Sequence, residues 1–195
     1  MRKLSTCAVL AVTLAILAAS WAFAIEPKIN TPSRVYIKDT EPHSVAIMPH
    51  QGPYTDLSAV ITKLMGEVAR GGYSQAGPIM AMFISNPETT KPSDLKWQVM
   101  IPVAYPGQMG QVVNDKMGFQ FMDRMHVAYI YHIGPYEKIA DTYKILFDWA
   151  KTNDYKIESF PLEIYWSDPA KTPSDKQVTE IWVPIEEKTS PGLLK

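Results

Sequence analysis

Two glutamates sit among aromatic residues in short runs near the end of the chain. They are Glu163 in Leu162-Glu163-Ile164-Tyr165 and Glu180 in Glu180-Ile181-Trp182-Val183-Pro184. A carboxylate partly removed from water attracts a cation more strongly than an exposed one does. Aromatic faces such as those of Tyr165 and Trp182 add their own attraction for cations. The same carboxylates could activate water as general bases, with Tyr165 as a donor. Met80, Met82, Gln98 and Met100 form a second group, and methionine suits adaptable apolar walls. A third group is His50 and His132, each opening a His-x-Gly-Pro-Tyr run that ends in Tyr54 or Tyr136. No His/Cys/Asp cluster with ligand spacing accompanies the histidines, so no metal is expected. No haem-attachment, phosphate-loop, serine-elbow or zinc-protease pattern occurs, and no cofactor is expected.

The two His-x-Gly-Pro-Tyr runs lie 82 residues apart and belong to a longer internal repeat. Val45-Ala46 answers Val127-Ala128, Tyr73 answers Tyr155, and Pro92-Ser93-Asp94 answers Pro173-Ser174-Asp175. Val99-Met100-Ile101-Pro102-Val103 answers Ile181-Trp182-Val183-Pro184-Ile185. Each copy reads as strand, helix, strand, strand. The opening strands are expected at Ser44–Met48 and His126–Tyr131. Gly-Pro-Tyr then turns the chain, with proline at the first helical position. One-sided apolar patterns follow, from Tyr54 to Val68 and from Tyr136 to Ala150. The last strands are expected at Ile79–Ser85 with Lys96–Val103, and at Leu162–Ser167 with Val178–Ile185. Arg34–Lys38 would add an edge strand, and residues 104–125 would connect the copies. The fold class is α+β: duplicated βαββ units with pseudo-twofold symmetry, antiparallel sheets, one helix per unit and a cleft between halves. The boundaries are 34–187 for the domain, about 34–104 for repeat one and about 118–187 for repeat two.

Side chains alternate faces along a strand. Thr179, Ile181, Val183 and Ile185 suit packing under a helix, which leaves Glu180 and Trp182 on the open face. Leu162, Ile164 and Trp166 are expected to pack inward, placing Glu163 and Tyr165 on the open face as well. Met80, Met82, Gln98 and Met100 take the matching positions in the first copy. Tyr54 and Tyr136 are further candidates for the cleft. The whole set predicts a cleft for a small, flat molecule, apolar or cationic.

Composition narrows the function. The 195 residues include 19 Lys and Arg against 20 Asp and Glu, so there is no positive excess for holding phosphates. That argues against nucleic acid as a partner. Arg2 and Lys3 precede an apolar run from Cys7 to Ala19, followed by Ala22-Phe23-Ala24. This pattern predicts a signal peptide over 1–24, a periplasmic or secreted mature chain, and no stable membrane anchor after cleavage. The one cysteine lies inside that leader, so packing rather than disulfides must hold the mature chain.

The order Gly134-Pro135-Tyr136, Glu163-Ile164-Tyr165 and Glu180-Ile181-Trp182-Val183-Pro184 resembles the GyrI-like small-molecule-binding domain. That domain is also the effector-binding part of multidrug-responsive and AraC-type regulators. The resemblance implies a ligand site between duplicated units and a glutamate that meets cationic drugs, a role that falls on Glu180. Residues 1–195 carry no helix-turn-helix pattern, so the expected activity is sequestering or sensing of small molecules rather than transcription. Some members look like hydrolases of reactive cyclopropane-type compounds, and that alternative would draw on Glu180, Glu163 and Tyr165.

Overall fold

A computed structural model describes residues 34–104, 112–114 and 117–188. The expected signal peptide and the last seven residues lie outside this set. The described residues form ten strands, all paired antiparallel, and two α-helices.

β1 (Tyr36–Asp39) and β2 (His43–Gln51) lead into α1 (Leu57–Arg70), followed by β3 (Ile79–Phe83) and β4 (Lys96–Pro102). β5 (Val112–Asn114) and β6 (Met117–Met122) come next. The second unit has β7 (His126–Ile133), α2 (Ile139–Thr152), β8 (Tyr155–Ile157), β9 (Leu162–Tyr165) and β10 (Val178–Glu187). The duplicated strand-helix-strand-strand order is as the repeat implies. Residues 104–125 are not a plain connector, because β5 and β6 lie within them. β6 sends Met117 and Phe119 into the core under α1 and Met122 to the opposite face, as alternation along a strand requires.

The turn into each helix is built alike. Gly52 has φ +150° and Gly134 has φ +128°, conformations a side chain rarely tolerates. Their amides donate to Leu95 O and Gln177 O, each at 2.9 Å. Pro53 and Pro135 are extended rather than helical, and a short 3-10 turn separates them from α1 and α2. The prolines therefore aim the chain at the helix instead of starting it. α1 buries Val60, Leu64 and Val68, and α2 buries Leu146 and Ala150. These spacings put one apolar stripe of each helix on the sheet.

The sheet runs β1-β7-β10-β9-β3-β4-β2-β6-β5, with β8 paired to β10. The units join edge to edge at the β3–β9 seam, where Met80 faces Ile164 and Ala81 faces Glu163. They also exchange their leading strands. β1, ahead of the first unit, pairs with β7 of the second, and β6, ahead of the second, pairs with β2 of the first. The registers match: Lys38 lies opposite Val127, and Gln120, 82 residues after Lys38, lies opposite Val45. This reciprocal exchange and the seam make one continuous sheet, so neither unit's thin core stands alone.

Both helices lie on the same face, so the core has two sides. One apolar cluster packs under α1 around Leu64, Trp97 and Ile101. A second packs under α2 around Ile130, Leu146 and Ile181. The third contains no helical residue and covers the opposite face, with Met80, Met100, Leu162, Ile164 and Trp182 buried in it.

Candidate functional site

Strand register lays the helix-free face out in rows. One row runs Tyr131, Glu180, Ile164, Met80, Met100 and Ile47 across five strand pairs. The next runs Tyr36, Tyr129, Trp182, Leu162, Met82 and Gln98. Glu180, Trp182, Met80, Met82, Gln98 and Met100 therefore share one face.

Glu180 is the chemical centre of that face, and its side chain is 0 % exposed. Its Oε1 accepts from Lys38 Nζ at 2.5 Å, and its Oε2 accepts from the Trp166 indole N–H at 2.9 Å. The Lys38 ammonium also sits 4.3 Å from the ring centroids of both Tyr129 and Trp182. A carboxylate, two ring faces and a cation thus meet at one point. Tyr36 stacks on Tyr129 at 5.5 Å, and Tyr131 meets Tyr129 edge-on at 5.8 Å. Burial, and then the charge of Glu180, pushes the Tyr129 and Tyr131 hydroxyls up, so both stay neutral. The Trp182 N–H is buried with no hydrogen-bond partner among the described residues. Toward the first unit the wall becomes soft: Gln98 Nε2 approaches the sulfurs of Met82 and Met100 at 3.7 and 3.6 Å. Such contacts are weak and readily rearranged.

Glu163 and Tyr165 depart from the sequence expectation. Glu163 lies opposite Ile181, and Tyr165 packs in the cluster under α1, so both face the helices. Leu162, Ile164 and Trp166 take the helix-free face instead. The reason is that both faces of this central strand are buried, so alternation gave no inside-outside signal. The Glu163 carboxylate accepts from Tyr143 of α2 at 2.9 Å and from Tyr165 at 2.8 Å. Burial pushes Glu163 up to about 7, against the downward pull of the Tyr165 and Tyr143 hydrogen bonds. Both phenols are held well above their usual range by burial and then by the Glu163 charge.

Tyr54 and Tyr136 also belong to the helix side, packed against the α1 cluster. The Tyr54 hydroxyl donates to Ser85 O at 2.9 Å, and Tyr136 meets Tyr165 edge-on at 6.0 Å. They anchor the starts of the helices and do not reach the Glu180 face. His50 and His132 stand on β2 and β7 with four strands between them. His50 Nε2 pairs with Asp56 at 3.0 Å. His132 Nε2 donates to Pro135 O at 3.1 Å, and its Nδ1 accepts from Thr142 at 2.8 Å. Each histidine braces its own turn. Among the described residues no three His, Cys, Asp or Glu side chains converge as a metal set would.

Two grooves of about 220 and 320 Å³ lie beside α2 and α1 at equivalent places, bordered by His132 and by His50. Neither Glu180 nor Glu163 lines them. They follow the repeat and concentrate no charge.

Sequence reasoning missed Lys38, Tyr129 and Trp166. A signal was present for Lys38: the repeat spacing carries it to Gln120 and carries Gln98 to Glu180, so the two copies differ at paired positions.

The fold is that of a duplicated α+β domain. A family model for the GyrI-like small molecule binding domain matches residues 16–104 and 107–186, and the chain belongs to this family. No curated protein matches the sequence. Among solved structures, the EcmrR C-terminal domain is similar at 19 % identity and a TM-score of 0.70, covering 79 % of this chain and 98 % of that one. Against EcmrR in its DNA complex the TM-score is 0.69, and the match spans 57 % of that longer chain. A hydrolase from Listeria innocua is similar at 14 % identity and a TM-score of 0.57, covering 82 % and 95 % of the two chains. SAV2435 bound to tetraphenylphosphonium matches at 11 % identity and a TM-score of 0.51, covering 78 % and 94 %. At these identities the likeness is one of fold.

Proposed function

We propose that this chain binds small apolar cations on the helix-free face of its sheet, with Glu180 as the counter-charge, and sequesters or senses them. The observation that carries this reading is the Glu180 centre itself. A fully buried carboxylate lies where an ammonium is held between two aromatic rings, beside a wall of methionines. Desolvation strengthens the attraction between carboxylate and cation. The rings favour a soft organic cation over a hydrated metal ion. The methionines would let one face accept ligands of different outline. The tetraphenylphosphonium bound by SAV2435 is a ligand of this class and supplies a probe. The leader expected over residues 1–24 from its sequence pattern would place this binding in the periplasm or outside the cell.

Hydrolysis has less support from the geometry. Both oxygens of Glu180 are taken by donors, while Glu163 and Tyr165 face the helices. Isothermal titration with tetraphenylphosphonium tests the binding reading. The chain should bind it, and Glu180→Gln should weaken binding by about tenfold or more, the scale of one lost charge contact. Equal affinity in Glu180→Gln, with the fold intact by circular dichroism, would remove Glu180 from the account.

A further inference from the structure

We infer that Lys38 is a tethered cation occupying the position of a ligand cation, so that a ligand enters the Glu180 site by displacing it. This rests on the proposed binding at Glu180 and concerns its regulation.

The geometry is specific. Lys38 is on the short edge strand β1, 142 positions from Glu180 in sequence, yet its Nζ meets Oε1 at 2.5 Å. The same nitrogen lies 4.3 Å from both the Tyr129 and the Trp182 ring. Those are the contacts an organic ammonium would seek: a carboxylate on one side and ring faces around it. With Lys38 in place the buried charge is balanced, and a second cation would meet repulsion instead of a free carboxylate. With Lys38 withdrawn, Glu180 would be buried and unpaired, a costly state that an arriving cation relieves.

Withdrawal is within reach. Glu180 is fully buried, but the Lys38 side chain keeps 32 % of its surface in solvent. β1 is four residues long and, among the described residues, pairs only with β7 and forms the outer edge of the sheet. A swing of the flexible stem carries the ammonium into water without unpairing β1. The Asp39–His126 pair at 2.7 Å and the Thr40–Met125 contact at 2.9 Å hold the end of the strand meanwhile.

The other half of the molecule supplies the comparison. At the positions equivalent to Lys38 and Glu180 the first unit's side of the sheet has Gln120, on the exchanged strand β6, and Gln98. Gln98 has turned to the methionine sulfurs, and Gln120 is exposed. The cation and the carboxylate therefore occur together on one side and are replaced together by neutral amides on the other. The lysine belongs with the glutamate as a unit.

Occupancy by the tether lowers apparent affinity by the fraction of molecules whose site is open. It also selects for ligands that out-compete an ammonium for the rings, which favours broad, weakly hydrated cations over small amines.

The test titrates tetraphenylphosphonium into the full chain and into Lys38→Met, Lys38→Arg and Lys38→Met/Glu180→Gln. Lys38→Met should bind at least tenfold tighter than the unmodified chain. Lys38→Arg should show no such gain, and adding Glu180→Gln to Lys38→Met should abolish it. If Lys38→Met binds equally or more weakly, the inference is overturned. If that result comes with weakened binding in Glu180→Gln alone, the Glu180 reading survives without the tether. Absence of binding in every variant removes both. A second measurement needs no variant in the titration. The Lys38 side-chain ¹Hε–¹³Cε signal should lie upfield under the two rings and move to the ordinary lysine position at saturating ligand. A signal that stays upfield at saturation contradicts displacement.

Discussion

Glu163 should make the protein less stable as pH rises through neutrality. Its carboxyl is pushed from 4.5 up to about 7 in the folded chain, chiefly by burial. Between those values the native state holds a proton that the unfolded chain has released, so stability falls with rising pH across the window and levels off above it. One pKa unit corresponds to about 1.4 kcal/mol, so the full effect is about 3 kcal/mol between pH 4 and pH 8. With a urea slope near 2 kcal/mol per molar, the midpoint moves by about 1.5 M. Other groups titrate too, so the quantity to read is the difference between the unmodified chain and Glu163→Gln at each pH. That difference should favour the unmodified chain near pH 5 and reverse toward Glu163→Gln near pH 8, because the amide has no proton to lose. Tyr165→Phe supplies a sharper control. It deletes a hydrogen bond that favours the charged form, so the upper edge of the window should move to higher pH while the lower edge stays. A flat difference across pH 4–8, or one of opposite sign, would refute the burial argument.

The remaining expectations concern the scaffold and the leader. Gly134→Ala should cost about 1–3 kcal/mol by thermal melting, because φ is +128° there and, among the described residues, no neighbour lies within 4 Å of the added methyl group to blame instead. Leu146→Ala should cost about 2–5 kcal/mol in urea denaturation, as the side chain is wholly buried between α2 and the sheet. Secreted protein should have the intact mass of a chain beginning at Ile25. A retained leader would contradict the proposed cleavage.

How far the sequence could be read depended on what each strand faces. The duplication was legible because paired motifs at one spacing constrain both copies together. The face of Glu180 and Trp182 was legible because β10 is long and its other face, Thr179 to Ile185, is cleanly suited to a helix. β9 defeated the same reasoning. It has four residues, all buried, and Glu163 with Tyr165 looks more polar than Leu162 with Ile164. The polar pair nevertheless faces the helices, where Tyr143 supplies a partner from α2 that no local pattern announces. Register with β3 and β10, not polarity, fixed that strand. The exchanged strands were hidden for a related reason: β1 and β6 each pair across the repeat boundary, over long sequence separations. Lys38 went with them, since a lone lysine in a short edge strand reads as a solvated end until its partner strand is known.

The central claim is that organic cations bind beside Glu180 on the face without helices. Tetraphenylarsonium, an analogue of tetraphenylphosphonium, carries its own anomalous scatterer. Crystals of the protein grown with it and measured at the arsenic edge would locate the cation directly. The account predicts an arsenic peak on the helix-free face, adjoining the Glu180 carboxylate and the Trp182 ring, with Lys38 turned away. A peak in the grooves beside α1 or α2, or under the helices near Glu163, would contradict it.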